Sequence, residues 1–204
     1  MVDNFIKESP ALGEYTKFKH RIKLKADEIV SMRPYTVPFR LIPTLKEEIN
    51  RLLDQKITSP SNSSFASPAF IIPKKNGKLR MVIDYRKLNS ITEKESYPLP
   101  RIRDILSELH GSKFFTQIDL NSGYHQISVA EESREKTAFV LPFGHHEFNR
   151  LPFGATNAPR TFQMAMNRVF SNLSFVKVYL DDILVHSDTL ENHYDHVRET
   201  LKKD

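Results

Sequence analysis

The stretch FVKVYLDDILVHS at positions 175–187 constrains the fold more than any other. Runs of apolar and β-branched residues, the composition of half-buried or buried strands, flank Asp181 and Asp182. Burying adjacent carboxylates among such residues would be costly, because the like charges repel and each loses its hydration. The conflict disappears if FVKVYL and ILVHS are the arms of a hairpin with the aspartates at its turn, where aspartate is well tolerated. An isolated Asp-Asp pair in such a place is most often a plain surface turn, so a functional reading needs more residues. Asp119 provides one, since it ends a second apolar run, KFFTQID at 113–119. Three carboxylates converging at strand ends make a hard, all-oxygen site of the kind magnesium occupies, and a bound cation relieves their repulsion.

The rest of the chain supplies a scaffold for that site. Positions 1–40 carry scattered charges and prolines without a sustained period, and read as an extended or loosely attached arm. Leu45, Ile49, Leu52 and Leu53 predict a helix over about 44–56, opened by a Thr44/Glu47 capping box after Pro43. SPSNSSFASP at 59–68 reads as a loop, and AFIIPKKNGKLRMVI at 69–83 as a hairpin turning at Asn76-Gly77. Ile102, Ile105, Leu106 and Leu109 predict a helix stopped by Gly111, and TAFVLPFGHHEFNRLPFG at 137–154 two short strands around a glycine turn. A helix behind Pro159 and another over about 190–202 complete the pattern. Strands and helices intermix and several strand pairs are hairpins, so the expected class is α+β with a largely antiparallel sheet.

Composition narrows the partners. The chain has 204 residues, 39% of them apolar, enough for one or two domains with a sizeable core. Thirty Lys and Arg against twenty-five Asp and Glu give a net charge of +5, which favours a polyanion such as nucleic acid. Cysteine is absent, which excludes disulfides, thiolate zinc sites and cysteine nucleophiles. His125, His145, His146, His193 and His196 read as ordinary histidines rather than a zinc site. No apolar stretch is long enough to span a membrane and the start lacks a signal-peptide pattern, so a soluble, intracellular protein is expected.

Five stretches, in order, carry a family resemblance: IPKKNGKLRMVIDYRKLN (72–89), YPLPRI (97–102), FFTQIDLNSGYHQI (114–127), KTAFVLPFGHHEFNRLPFGATNAPRTFQ (136–163) and VYLDDILVHS (178–187). Together they resemble reverse transcriptases, nearest to those of the Pol polyproteins of gypsy-type long-terminal-repeat retrotransposons, with retroviral enzymes more distant. The resemblance covers roughly positions 20–204. It implies a right-hand polymerase fold, with an N-terminal arm over 1–40, mainly fingers over 41–118, and mainly palm over 119–204 apart from a finger segment at about 131–155. By position, Asp119, Asp181 and Asp182 become the ligands of two magnesium ions, with manganese an alternative and the Leu120 carbonyl a further ligand. Ser122 and Gly123 correspond to backbone that holds the triphosphate, and Tyr124 to the aromatic that obstructs a ribose 2′-hydroxyl; outside the motif, Tyr124 would read as a half-buried core tyrosine. Arg80 corresponds to a residue that stacks on the incoming base. Lys78, with Lys74 and Lys75 as alternatives, would meet the γ-phosphate. Phe153 would lie beside the sugar, and Arg86 and Asn89 would touch template.

The implied function is RNA-directed DNA polymerase activity: extension of a primer on RNA or DNA template from deoxynucleoside triphosphates, within a larger Pol polyprotein. The implied location is cytoplasmic, in virus-like particles, with nuclear entry an alternative. Ser64, Asn76 and His146 depart from residues common in the family; none belongs to the metal chemistry, so the departures bear on loop geometry rather than activity. The family continues past the last helix into thumb, connection and RNase H domains, and this chain stops at Asp204, so an incomplete enzyme is expected. The alternative from another class is a truncated, non-catalytic remnant that at most binds nucleic acid. An RNA-dependent RNA polymerase is disfavoured by Tyr124 and by the order of the motifs.

Overall fold

In the computed structural model, which describes residues 12–73, 79–120 and 122–202, strands and helices alternate along the chain as the α+β reading expects. They gather into two units, one from Thr16–Lys94 and Tyr124–Ala158, the other mainly from Glu95–Gly123 and the chain from Pro159 onward.

The first unit is built on a mixed sheet. Its strands are β2 (Thr58–Pro60), β3 (Ser67–Pro73), β4 (Leu79–Ile83), β7 (Phe139–Leu141) and β8 (Gly144–Phe148), in the order β2-β8-β7-β3-β4. All neighbours are antiparallel except β3 and β7. A two-stranded ladder pairs β1 (Tyr15–His20) with β6 (Ile127–Val129). Helix α1 (Ile42–Asp54) buries Leu45, Ile49 and Leu52, and short helices α2 (Arg86–Ile91) and α4 (Glu131–Arg134) flank the sheet strands in sequence. The core holds Ile57, Leu88, Phe139 and Leu151, and Tyr85, whose buried hydroxyl donates to the Thr137 carbonyl at 2.6 Å. Buried Tyr side chains generally need such a partner.

Three expectations change here. Helix α1 starts at Ile42 behind a 3-10 turn, with Leu41 as N-cap and no side-chain cap, so Thr44 lies within the first turn and the capping box does not form. Pro43 occupies the first turn, where its missing N–H costs nothing. The stretch read as a loop at 59–68 is ordered at both ends: Thr58–Pro60 forms an edge strand on β8, a position that tolerates Pro60, and β3 begins at Ser67. The arm is extended but tied down. Val30 and Met32 bracket Ala66 through backbone hydrogen bonds of 2.8 Å, and Lys23 and Lys25 pair with Glu93 and Ile91. The Asn76-Gly77 turn lies outside the described residues.

The second unit is built on β5 (Phe114–Asp119), β9 (Val176–Tyr179) and β10 (Asp182–Ser187), in the order β5-β10-β9 and antiparallel throughout. Period-two patterning puts Ile183, Val185 and Ser187 inside and leaves Asp182 exposed. Around it are α3 (Ile102–Glu108), α5 (Ala158–Val169) and α6 (Leu190–Leu201). Helix α6 is capped by Thr189, which accepts from the Asn192 N–H, and it packs on β10 and β5. His193 and His196 both place Nδ1 on Ser187 Oγ, at 2.9 and 2.8 Å, and His193 Nε2 meets Thr116 Oγ1 at 2.8 Å. Ser187 has one proton, so it donates to one imidazole and accepts from the other. These two histidines thus anchor a helix. Among the described residues no group of three His, Asp or Glu side chains is gathered for a metal.

Two histidines of the mixed-sheet unit set an acid limit. Burial pushes His20 down to about 4, and burial first pushes His125 to about 4, partly offset by its bond to the Leu151 carbonyl. The unfolded chain then binds more protons, so this stability is complete above the ordinary histidine value and is lost as pH falls from about 6.5 towards 4. The expected loss is about 2 kcal/mol per histidine between about pH 7.5 and pH 5, read as a falling urea midpoint. A midpoint that holds steady across that interval would contradict the assignment.

Candidate active site

In β9-β10 the residue pair Tyr179↔Asp182 closes the hairpin and leaves Leu180 and Asp181 as the turn. Leu180 has φ of 52°, the left-handed first position of a type II′ turn that glycine usually fills. A leucine there is strained by about 1–2 kcal/mol and needs support from its surroundings.

The pairing register brings the acids together. Asp182 lies directly opposite Asp119 on the neighbouring strand, and all of Asp119, Asp181 and Asp182 are exposed. Residues opposite each other share a face, and like charges in that arrangement are destabilising. Gln117, two residues before Asp119 on the same face, donates from Nε2 to Asp182 Oδ1 at 2.7 Å. The carboxylates therefore occupy adjoining backbone positions without forming a closed three-ligand set among the described residues. Their chemistry suits a hard divalent cation: oxygen donors only, all exposed, with two carboxylates on facing strand positions. Ser122 has φ of 54° and precedes a 3-10 turn over Gly123–Gln126. Gly123 is required for packing, because a Cβ there would lie 2.9 Å from Phe162 Cζ.

A second cluster belongs to the mixed-sheet unit. The Tyr124 ring, 6% exposed, stacks on Phe153 at 4.7 Å between centroids and 11° between planes. The Arg80 guanidinium sits 5.5 Å from the Phe153 centroid on β4, and His125 meets the same ring edge-on at 5.3 Å. Phe153 is thus held among Arg80, Tyr124 and His125 while remaining 41% exposed. The turn behind it uses the positive φ of Gly154 and is clamped by Asn89, which donates to the Gly154 carbonyl at 2.8 Å and accepts from the Thr156 N–H at 2.9 Å.

Arg80, Phe153 and Tyr124 are therefore brought together, whereas of the three aspartates the register sets Asp119 opposite Asp182, with Asp181 next to Asp182 in the turn. Asn89, read as a template contact, spends its amide on the Phe153 turn. Arg86 makes a two-point pair with the buried Asp84, at 2.9 and 2.7 Å, and Tyr35 donates to the same carboxylate at 2.8 Å. The Arg86 bond, with help from Tyr35, holds the Asp84 carboxyl far below the usual range. Lys78, Lys74 and Lys75 lie outside the described residues. Gln117 and the Asp84–Tyr35 support were not read from the sequence; only the same-face spacing of Gln117 and Asp119 offered a signal.

The sequence profile of the family described as reverse transcriptase (RNA-dependent DNA polymerase) matches residues 72–203. The chain is 39% identical over 202 residues to the retrovirus-related Pol polyprotein from transposon 297 of Drosophila melanogaster, covering 94% of this chain and 19% of that polyprotein. It is 38% identical over 206 residues to the Pol polyprotein from transposon gypsy of the same fly, covering 97% and 20%. The Tf2-3 polyprotein of Schizosaccharomyces pombe is 38% identical over 174 residues, covering 84% and 13%. The chain thus spans about a fifth of the length of the fly polyproteins it matches. Among solved structures it is similar to the native prototype foamy virus protease-reverse transcriptase, with TM-score 0.86, 26% identity, and coverage of 93% of this chain and 26% of that one. The foamy viral protease-reverse transcriptase in complex with RNA/DNA hybrid gives TM-score 0.88 and 25% identity over 98% and 28% of the two chains. Sequence and fold agree over nearly the whole length, and the chain belongs to the reverse transcriptase family of RNA-dependent DNA polymerases.

Proposed function

We propose that this chain is the fingers and palm of a retrotransposon polymerase that adds deoxynucleotides to a primer 3′-hydroxyl on RNA or DNA template. The observation that carries the reading is the register that sets Asp119 opposite Asp182, with Asp181 in the strained turn beside them. In this reading the mixed-sheet unit serves as fingers and the three-stranded unit as palm. Asp119, Asp181 and Asp182, with the Leu120 carbonyl, would hold two magnesium or manganese ions, which when bound neutralise the triphosphate and activate the attacking hydroxyl. The chain's own residues bind and orient. By family position, Ser122 and Gly123 would offer backbone to the triphosphate, Arg80 would pair with phosphate and stack on the base, and Lys78 is the residue assigned to the γ-phosphate. The Phe153 and Tyr124 rings form the floor under the sugar, Tyr124 standing against a 2′-hydroxyl. Arg86, pre-oriented by Asp84, is offered to the template backbone.

The matched relatives are Pol polyproteins, and a longer Pol polyprotein is the natural setting proposed for this chain; a place in cytoplasmic virus-like particles, or nuclear entry, follows from the family resemblance alone. The test is template-directed incorporation: on an oligoriboadenylate template with a DNA primer and magnesium, the chain is expected to take labelled deoxythymidine triphosphate and to leave the other three deoxynucleotides unused. Salt-sensitive binding of primer-template with no incorporation would instead identify a non-catalytic remnant.

A further inference from the structure

Gln163 is fully buried although it carries an amide on the amphipathic helix α5. Its Nε2 donates to the Val178 carbonyl at 3.0 Å and to Asn167 Oδ1 at 2.9 Å, and its Oε1 accepts from the Leu180 N–H at 2.8 Å. Asn167 Nδ2 donates onward to the Tyr97 hydroxyl at 2.8 Å. One side chain thus grips the backbone on both sides of Tyr179, ending on the residue whose φ of 52° makes the turn. Such a conformation in a leucine persists only where surrounding structure over-determines it. An uncharged amide is suited to the task because it presents donors and an acceptor together: a carboxylate in its place would leave the Val178 carbonyl without this donor, and a leucine would satisfy neither backbone group.

We propose that Tyr97, Asn167 and Gln163 form a positioning relay that holds the Leu180 turn in its left-handed form. The relay thereby sets the reach of the Asp181 carboxylate and the affinity of the acidic site for a divalent cation. The relay residues support the ligands rather than join them, and the proposal rests on reading Asp119, Asp181 and Asp182 as metal ligands.

The probe is manganese alone, added to the 204-residue chain without nucleic acid, with free ion counted by its paramagnetic resonance signal and melting followed in parallel. Gln163→Leu is expected to weaken manganese binding about tenfold or more, the usual effect of removing a group that orients a ligand. Asn167→Ala, at an exposed position that leaves the core intact, is expected to weaken it by a smaller factor, roughly threefold. Met166→Ala, a buried neighbour on the same helix outside the relay, is expected to lower the melting temperature with manganese affinity unchanged. Wild-type affinity in both relay variants, with binding lost in Asp181→Asn, would overturn the relay and leave the metal site standing. An equal loss of affinity in Met166→Ala at equal loss of stability would reduce Gln163 to a structural residue. Identical binding by wild type and Asp181→Asn would remove the metal-site reading, and the relay with it.

Discussion

Asp119→Asn and Asp181→Asn are each expected to lower magnesium-dependent deoxynucleotide incorporation by at least about a thousandfold, equivalent to about 4 kcal/mol of transition-state stabilisation. Asparagine keeps the shape of the side chain and removes the charge that a hard cation requires. Stability should move the other way. Asp119 faces Asp182 across the ladder, and neutralising one member removes a like-charge contact worth roughly 0.2–1 kcal/mol. Asp119→Asn is therefore expected to melt at or slightly above the wild-type temperature while incorporation disappears. Single-turnover incorporation and thermal melting on the same preparations give both numbers. Retained incorporation in either variant would show that the chemistry lies elsewhere.

The second large effect concerns sugar selection. Tyr124 is 6% exposed and stacked on Phe153, so its ring is fixed rather than free to retreat from a 2′-hydroxyl. Tyr124→Val trims the ring and keeps an apolar residue in the core. Discrimination against ribonucleotides is expected to fall by about 10- to 200-fold, the range that steric exclusion of a small group supplies. Incorporation of each ribonucleotide against its deoxynucleotide, in wild type and variant, measures the change. An unaltered ratio would mean that Tyr124 is only the packing partner of Phe153.

Some of this was legible in the sequence for identifiable reasons. The β9-β10 hairpin announced itself through period-two apolar runs around two adjacent acids, and β5 through an apolar run ending on Asp119. Helices with a full apolar stripe, such as α1 and α6, were placed within a few residues. Helix α2 was missed because RKLNSI buries only Leu88 and shows no period. Edge strand β2 was missed because its Thr-Ser-Pro composition signals a turn, and pairing with β8 overrides that signal. The left-handed Leu180 was illegible, since leucine gives no hint of positive φ and its support comes from Gln163, seventeen positions earlier in the chain. Asn89 shows the converse limit: the motif identified its neighbourhood, and its partners at Gly154 and Thr156 come from chain 65 and 67 positions away.

The central claim is that the acids at this turn are a metal site that drives templated DNA synthesis, and its most direct measurement is a magnesium titration of primer extension on an RNA template. Wild-type chain and Asp181→Asn are compared at equal concentration. A wild-type rate that rises with magnesium and saturates, with no rise in the variant, is the predicted result. Extension that ignores magnesium, or that the Asp181→Asn chain reproduces, would contradict it.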